Sequence, residues 1–468
     1  MKTKNTIESR LLGRRSLGAL TAAGALTVLS GCLGETRRPG DRPTVAVRAS
    51  SATTAERPTV DEAKLREFGF VVYWDSFIRD ESLTTITIEG DFEQGYGKPQ
   101  LYAYTESDRL YQLDLHSGMV NWLFDVGEPL IFPKGRWITE WAYKADQPQG
   151  DEGPSFKRYD EVFFIARDRL IALDKDNGAQ LWETQLPFGP SAPPQASDSH
   201  VFVGSWDDRI YAYRKDRPEI PDWNWRTDGD ILTRPVADSP SVFVASTDGK
   251  LHTFDASSGE VKWTFDTEKR LLLDPVVFKK LLYVAAEDFN IYVLNVLDGL
   301  LEYRFGAGAP ITERPITIDN GAEDRTVFFT AGDEGLFALW RKGRPKVASE
   351  GRKTIHELLW QRKEAKRILC RGARDVYVLE EGETPDQTKI VRLDAVDGKV
   401  KGELMLDGVD WVLTNPAGPN SPIRDEALLG GMIVLGYKSG WVVSIKEIAT
   451  LPGGIEMGSG SSNIETGK

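Results

Sequence analysis

Little in this chain of 468 residues is suited to metal, thiol or nucleophilic chemistry. It has two cysteines, and Cys32 and Cys370 stand in unlike contexts that give no disulfide framework. Cys370, in Ile368-Leu369-Cys370, reads as a small buried apolar residue. The four histidines, His116, His200, His252 and His356, are scattered without Cys/His or His-x-x-x-His spacing, so no transition-metal site is indicated. His252 alternates within a strand pattern and reads as a plain strand residue. There is no Gly-x-Ser-x-Gly elbow and no Gly-Lys-Ser/Thr phosphate loop. Positive charge is the scarcer sign: 58 Lys and Arg against 71 Asp and Glu leave a net charge of -13. An acidic surface disfavours nucleic acid and gives no electrostatic pull toward anionic lipid. Long apolar runs are also missing. Leu17 to Leu29 is too short for a comfortable membrane span, and mean hydropathy is -0.35.

Glycine (44) and tryptophan (13) are plentiful, and they recur in a fixed phrase. Leu110-Tyr111-Gln112-Leu113-Asp114 is followed by Gly118 and Trp122. Leu170 to Asp174 is followed by Gly178 and Trp182, and Leu251 to Asp255 by Gly259 and Trp263. The alternating apolar residues predict a half-buried strand. An Asp at its end can bond its own turn, a Gly supplies positive φ, and the Trp lays a large ring on the next unit. Positions equivalent to Asp114 are Asp174, Arg214, Asp255, Asn295, Trp340, Asp394 and Lys446, at separations of 40 to 60 residues. One such unit cannot bury both faces alone, so stacking the copies makes the core.

The ends of this array complement each other. Phe70 to Phe77 is a Trp-bearing strand with nothing before it, whereas the hairpin of Met432–Tyr437 and Gly440–Ile445 has no Trp strand after it. The N-terminal strand is therefore expected to complete the last unit and close a ring, which removes exposed edges. The expected fold is all-β: an eight-bladed β-propeller of four-stranded antiparallel blades over residues 60–450, with Asp61 to Phe68 as a helical lead-in. The docking rings are expected at Trp74, Trp122, Trp182, Trp225, Trp263, Tyr303 and Trp360, while Gly402 stands where the seventh copy would have its Trp.

Residues 1–31 have a basic start, the pair Arg14-Arg15 and a short apolar run, and read as a signal peptide. Arg14-Arg15-Ser16-Leu17 resembles a twin-arginine export signal, although Gly18 departs from its apolar pattern. Leu29-Ser30-Gly31-Cys32 resembles the lipobox of bacterial lipoproteins, which implies an exported chain lipidated at Cys32; the alternative is an ordinary signal peptide with a coincidental cysteine. Residues 32–58 read as the lipidated Cys and a flexible tether, and 451–468 as a disordered tail. Two insertions stand out within the array. One holds Trp137, Trp141 and Tyr143, either as local packing or as a protein-binding loop. The other, from Gly335 to Arg374, is rich in Lys and Arg and reads either as a solvated insertion or as a docking surface for an acidic partner or lipid head groups.

The Leu-Asp…Gly…Trp phrase, in its copies at Asp114, Asp174, Asp255 and Asn295, resembles the repeat of the pyrroloquinoline-quinone (PQQ) propeller superfamily. The overall plan resembles the BamB family of outer-membrane assembly lipoproteins. That resemblance implies a non-enzymatic scaffold in the cell envelope, facing the periplasm from the outer membrane rather than the inner. It would bind envelope proteins as a monomer within a larger complex. The alternatives are a quinoprotein oxidoreductase and a propeller that takes a carbohydrate or small ligand in its axial channel. The dehydrogenases of the superfamily carry adjacent cysteines against the quinone, and this chain has no Cys-Cys pair. Neither PQQ nor Ca²⁺ is expected.

Overall fold

A computed structural model describes residues 56–451 apart from 80, 92–95, 133–136, 142–159, 319–325, 341–357, 420 and 422–423. The signal and lipidation residues Arg14, Arg15 and Cys32, and the C-terminal tail, lie outside the described residues. The described chain forms eight four-stranded antiparallel sheets, each a blade. Blade 1 is Leu83–Asp91, Tyr96–Thr105, Arg109–Asp114 and Val120–Asp125, paired in that order. Six more blades of the same plan follow, and the eighth departs from it. Its first three strands are Trp411–Leu413, Met432–Gly436 and Trp441–Glu447, and its fourth is Phe70–Phe77 from the other end of the chain. Phe70 pairs with Glu447 and Phe77 with Trp441, so the ring is closed by the N-terminal strand.

The blades are joined by one repeated contact. In five blades an Asp or Asn at the end of the third strand holds its turn: Asp114 Oδ1 accepts from the backbone N–H of His116 (3.1 Å) and Ser117 (2.8 Å), and Asn295 Oδ1 does the same for Leu297 (2.9 Å). Gly118 in that turn has φ of 70°, and a Cβ there would also run into the ring of Trp74 from the preceding blade. Gly178 meets Trp122 in the same way, Gly299 meets Trp263, and Gly398 meets Trp360. Glycine is thus required twice at one position, for backbone conformation and for the ring lying on it. Most of these indoles also donate to a turn carbonyl: Trp74 to Leu115 (3.0 Å), Trp122 to Lys175 (2.8 Å) and Trp360 to Ala395 (3.1 Å).

Strand register corrects one of the expected rings. The ring-bearing residue pairs with the residue two before the Asp position: Trp122 with Gln112, Trp182 with Ala172, Trp263 with Thr253, Tyr303 with Val293. In blade 3 the residue in that register is Trp223, which faces Ala212; Trp225 faces Ile210. Trp223 lies on Gly259 and donates to Ala256 O (3.2 Å), whereas Trp225 is 42% exposed. The third turn, built on Lys215-Asp216, shifts the count along the strand, and both tryptophans point to one side because they are two apart.

Blade 7 shows what happens where no ring is available. Gly402 faces Arg392 in the ring register, and the ring of Phe68 lies 3.5 Å from the position of its Cβ. Phe68 ends a short helix, α1 (Glu62–Phe68), which Asp61 caps by accepting from Ala63 N (3.0 Å) and Lys64 N (3.2 Å). Its ring stacks on Phe70 at 5.6 Å and meets Tyr377 edge-on at 5.8 Å. The lead-in helix therefore supplies the aromatic ring that the seventh repeat lacks.

Replacing Trp223 with Ala is expected to cost about 2–4 kcal/mol of unfolding free energy, below the full value for a buried aromatic because the ring is only partly buried. Replacing Trp225 is expected to cost less than about 1 kcal/mol. Urea denaturation of the two variants separates them; equal losses would contradict the assigned register.

Candidate functional site: the axial channel and the blade 3 turn

The first strand of each blade faces the axis. These strands enclose a cavity of about 590 Å³ lined from opposite sides of the ring by Ile86 and Ile88 (blade 1), Leu273, Glu313, Arg367 and Trp411. The side chains around the axis are charged and largely sealed by one another. Arg234, from the segment entering blade 4, approaches Glu89 of blade 1 at 3.5 Å, and both are nearly fully buried. Its Nε donates to Gln195 Oε1 of blade 3 (3.0 Å) and its Nη2 to Thr139 Oγ1 of blade 2. Its backbone N–H donates to Asp274 Oδ1, at the entry to blade 5 (2.9 Å). One arginine thus ties together segments of five blades.

Beside it, Lys175 Nζ and Glu140 Oε2 are 2.5 Å apart and both side chains are buried. Tyr102 OH donates to Glu140 (2.7 Å), and Lys175 also donates to Lys98 O (2.8 Å). Burial pushes the Glu140 carboxyl up to about 7, against the opposing pull of Lys175 and Tyr102. On the far side of the channel, burial raises the Glu313 carboxyl and lowers the Arg367 guanidinium. Arg367 Nη2 donates to Val412 O, and its Nε is buried without a hydrogen-bond partner among the described residues. Among the described residues, no group of three or more His, Cys, Asp and Glu side chains is placed to hold a metal ion.

The insertion expected to offer Trp137, Trp141 and Tyr143 to a partner is built differently. Trp137 is 1% exposed and packs edge-on to Tyr104 at 6.1 Å, so its ring belongs to the core between blades 1 and 2. Trp141 is partly buried at the end of an inner strand (Ile138–Trp141), with the Lys215 ammonium 5.3 Å from its ring. Both rings are packed against the fold, Trp137 fully and Trp141 in part. Tyr143 lies outside the described residues. The basic run from Gly335 to Arg374 is described only outside 341–357, and there three of its charges are matched: Arg362 with Glu380 (2.7 Å), Lys363 with Glu334 (3.2 Å), Lys366 with Glu381 (3.1 Å).

The exposed aromatics are elsewhere. Trp206, in the turn between His200–Ser205 and Arg209–Arg214 of blade 3, is 60% exposed. Its backbone N–H donates to Gly189 O (3.0 Å), which places it beside the exposed Phe188 on the incoming loop. Phe188 stacks on Tyr211 at 6.0 Å, and Tyr211 OH donates to Asp207 (2.7 Å). An exposed ring stacked from below and a second exposed ring beside it form a ready contact surface. The available signal was a Trp in Ser205-Trp206-Asp207-Asp208, a turn where His252 and Tyr292 in the next blades are likewise clamped by an Asp four residues earlier without any turn Trp.

Glu140 makes stability pH-dependent in a stated direction. Its folded-state carboxyl takes up a proton near 7, above the ordinary value of 4.5, so the fold binds the proton before the unfolded chain does. Its contribution is present below about 4.5 and is lost as pH rises through about 7. Comparing unfolding of the wild type and Glu140→Gln at pH 5 and pH 8, the difference should move toward the wild type at pH 5 by about 1–3 kcal/mol. A difference that does not change with pH would refute the shift.

The sequence profile described as outer membrane protein assembly factor BamB matches residues 106–218 and 215–407, well over half of the chain. The BamB of Yersinia pestis is 31% identical over 119 residues, 23% of this chain and 30% of that protein. The BamB of Vibrio cholerae is 34% identical over 114 residues, 24% and 30% of the two chains. The aligned stretch thus spans under a third of either relative's length. The crystal structure of BamB from Moraxella catarrhalis superposes with a TM-score of 0.54 at 16% identity, covering 81% of this chain and 97% of that one, which shows the shared fold. With eight blades closed by the N-terminal strand and the profile running from blade 1 to blade 7, this chain belongs to the BamB family of PQQ-like β-propellers.

Proposed function

We propose that this protein is a non-enzymatic, lipid-anchored scaffold of the cell envelope that holds partner proteins in outer-membrane protein assembly. The family match across blades 1 to 7 carries the reading. Export through the Arg14-Arg15 signal and acylation of Cys32 would place the propeller on the periplasmic side of the outer membrane, as a monomer within a larger complex. Neither PQQ nor Ca²⁺ is part of this function. The superfamily's vicinal cysteines are missing from the sequence, and the axial carboxylates Glu89 and Glu140 are engaged by Arg234 and Lys175.

The contact surface is the blade 3 turn with Phe188 and Trp206, in place of Trp137 and Trp141. Two exposed aromatics whose backbone and neighbours are already fixed lose little conformational entropy on binding. Such residues are typical of the few that dominate an interface. Crosslinking with mass spectrometry on native membranes tests the reading. The full chain is expected to crosslink to envelope β-barrel or assembly proteins, and a Phe188→Ala, Trp206→Ala variant to lose at least about tenfold of that yield, about 1.4 kcal/mol, with an unchanged unfolding midpoint. A bait that captures nothing reproducible would refute the scaffold; full retention by the variant would refute the surface.

A further inference from the structure

The charges around the axis are not all answered by the protein. On one side Arg234, Glu89, Lys175 and Glu140 are paired and hydrogen-bonded across the strands. The cavity of about 590 Å³ lies on the other, with a lining drawn from blades 1, 5, 6, 7 and 8. Small-molecule sites span about 300–1,000 Å³, so the volume suits one. Leu272 in this lining is 40% exposed and closely follows the exposed run Glu268 to Arg270, so the cavity is open to solvent there.

The walls combine an apolar part with charges of both signs. Ile86, Ile88, Leu273 and Trp411 supply the apolar part. Asp274 and Glu313 stand against Arg314 and Arg367, so the charges of the lining balance. Asp274 is occupied by the backbone N–H of Arg234 (2.9 Å). Glu313 and Arg367 are under-used. Of the five N–H donors of a guanidinium, Arg367 commits one to a described residue, from Nη2 to Val412 O. Glu313 has no hydrogen bond or ion pair among the described residues, although it lies within the fields of Arg367 and Arg314. Burial outweighs that attraction, which leaves the Glu313 carboxyl raised and the Arg367 guanidinium lowered. A buried acid and a buried donor left in this way cost free energy that a ligand meeting both would recover.

We propose that this side of the axial channel is a binding site for a small zwitterion with an apolar body, the chemistry of a free apolar amino acid, whose carboxylate meets Arg367 and whose ammonium meets Glu313. An amino acid carries its two charges on one carbon. It therefore fits between an acid and a guanidinium that attract each other without bonding. An organic acid would bring its charge against Asp274 and Glu313, and an amine would bring its charge against Arg314 and Arg367. A neutral sugar would leave both under-used groups uncompensated. The apolar side chain of the ligand lies on Ile86, Ile88, Leu273 and Trp411. The site is separate from the blade 3 turn and does not depend on the scaffold function.

The test is calorimetric titration of the full chain, extracted in detergent and dialysed, with phenylalanine and leucine. Hydrocinnamate, which lacks the ammonium of phenylalanine, and phenethylamine, which lacks its carboxylate, are the controls. Both amino acids are expected to bind and to raise the unfolding midpoint, and each control to bind at least about tenfold more weakly, because the group it fails to meet stays buried and unpaired. Glu313→Gln, which breaks no hydrogen bond to a described residue, should unfold at the wild-type midpoint without ligand. It should lose at least about tenfold in affinity for phenylalanine while its affinity for hydrocinnamate does not fall. Absence of heat and of a midpoint shift with both amino acids at millimolar concentration would overturn the site. Hydrocinnamate binding as tightly as phenylalanine, or Glu313→Gln binding phenylalanine as the wild type does, would overturn the zwitterion assignment.

Discussion

An indole lying on a neighbour's turn glycine is the contact on which the ring depends. A four-stranded blade has two apolar faces and can cover neither alone, so its stability is shared with the blades on either side. The Trp74–Gly118 and Trp122–Gly178 contacts combine a large buried ring, a turn that only glycine can make at that distance, and an indole N–H satisfied by a carbonyl. The blades that lack this pattern show how much it matters. Where Gly402 leaves a gap, the chain brings Phe68 across from its other end to fill it. Closure at blade 8 and the patch on blade 7 are made by one stretch, α1 and the strand that follows it.

The axis is held by a different kind of force. Arg234, Glu89, Glu140 and Lys175 are charges taken out of water, and such groups are poor evidence of stability by themselves. The partners of Arg234 come from blades 1, 2, 3 and 5, so it is satisfied only when the ring has its full membership and register, whereas Glu140 and Lys175 pair within blade 2 and meet Tyr102 and Lys98 of blade 1. We read them as devices of specificity: a ring with one blade fewer would leave Arg234 facing the wrong inner strands, with an unpaired buried charge as the penalty. The same engagement leaves Glu89 and Glu140 occupied by the protein itself, which suits a structural axis.

With the core and this side of the axis committed to holding the ring together, recognition of partner proteins falls to the turns, whose residues are free of packing duty. On blade 3 they offer an exposed Trp206 beside Phe188, whose ring is stacked from below.

The sequence by itself determined the repeat, the number of blades, the strand from the N-terminus that closes the ring and the turn chemistry of Asp and Gly, because all of these are local patterns repeated at near-constant spacing. It also determined that Gly402 breaks the pattern, though not that Phe68 repairs it. Tertiary structure alone decided between Trp223 and Trp225, because an irregular turn had shifted a count that only strand register could correct. It decided that Trp137 belongs to the core, since an aromatic in an insertion looks the same in sequence whether it faces solvent or the next blade. The axial network was illegible for a plainer reason. Arg234 and Glu89 lie in blades 4 and 1, and nothing between them in the chain records that closing a ring of eight brings them face to face.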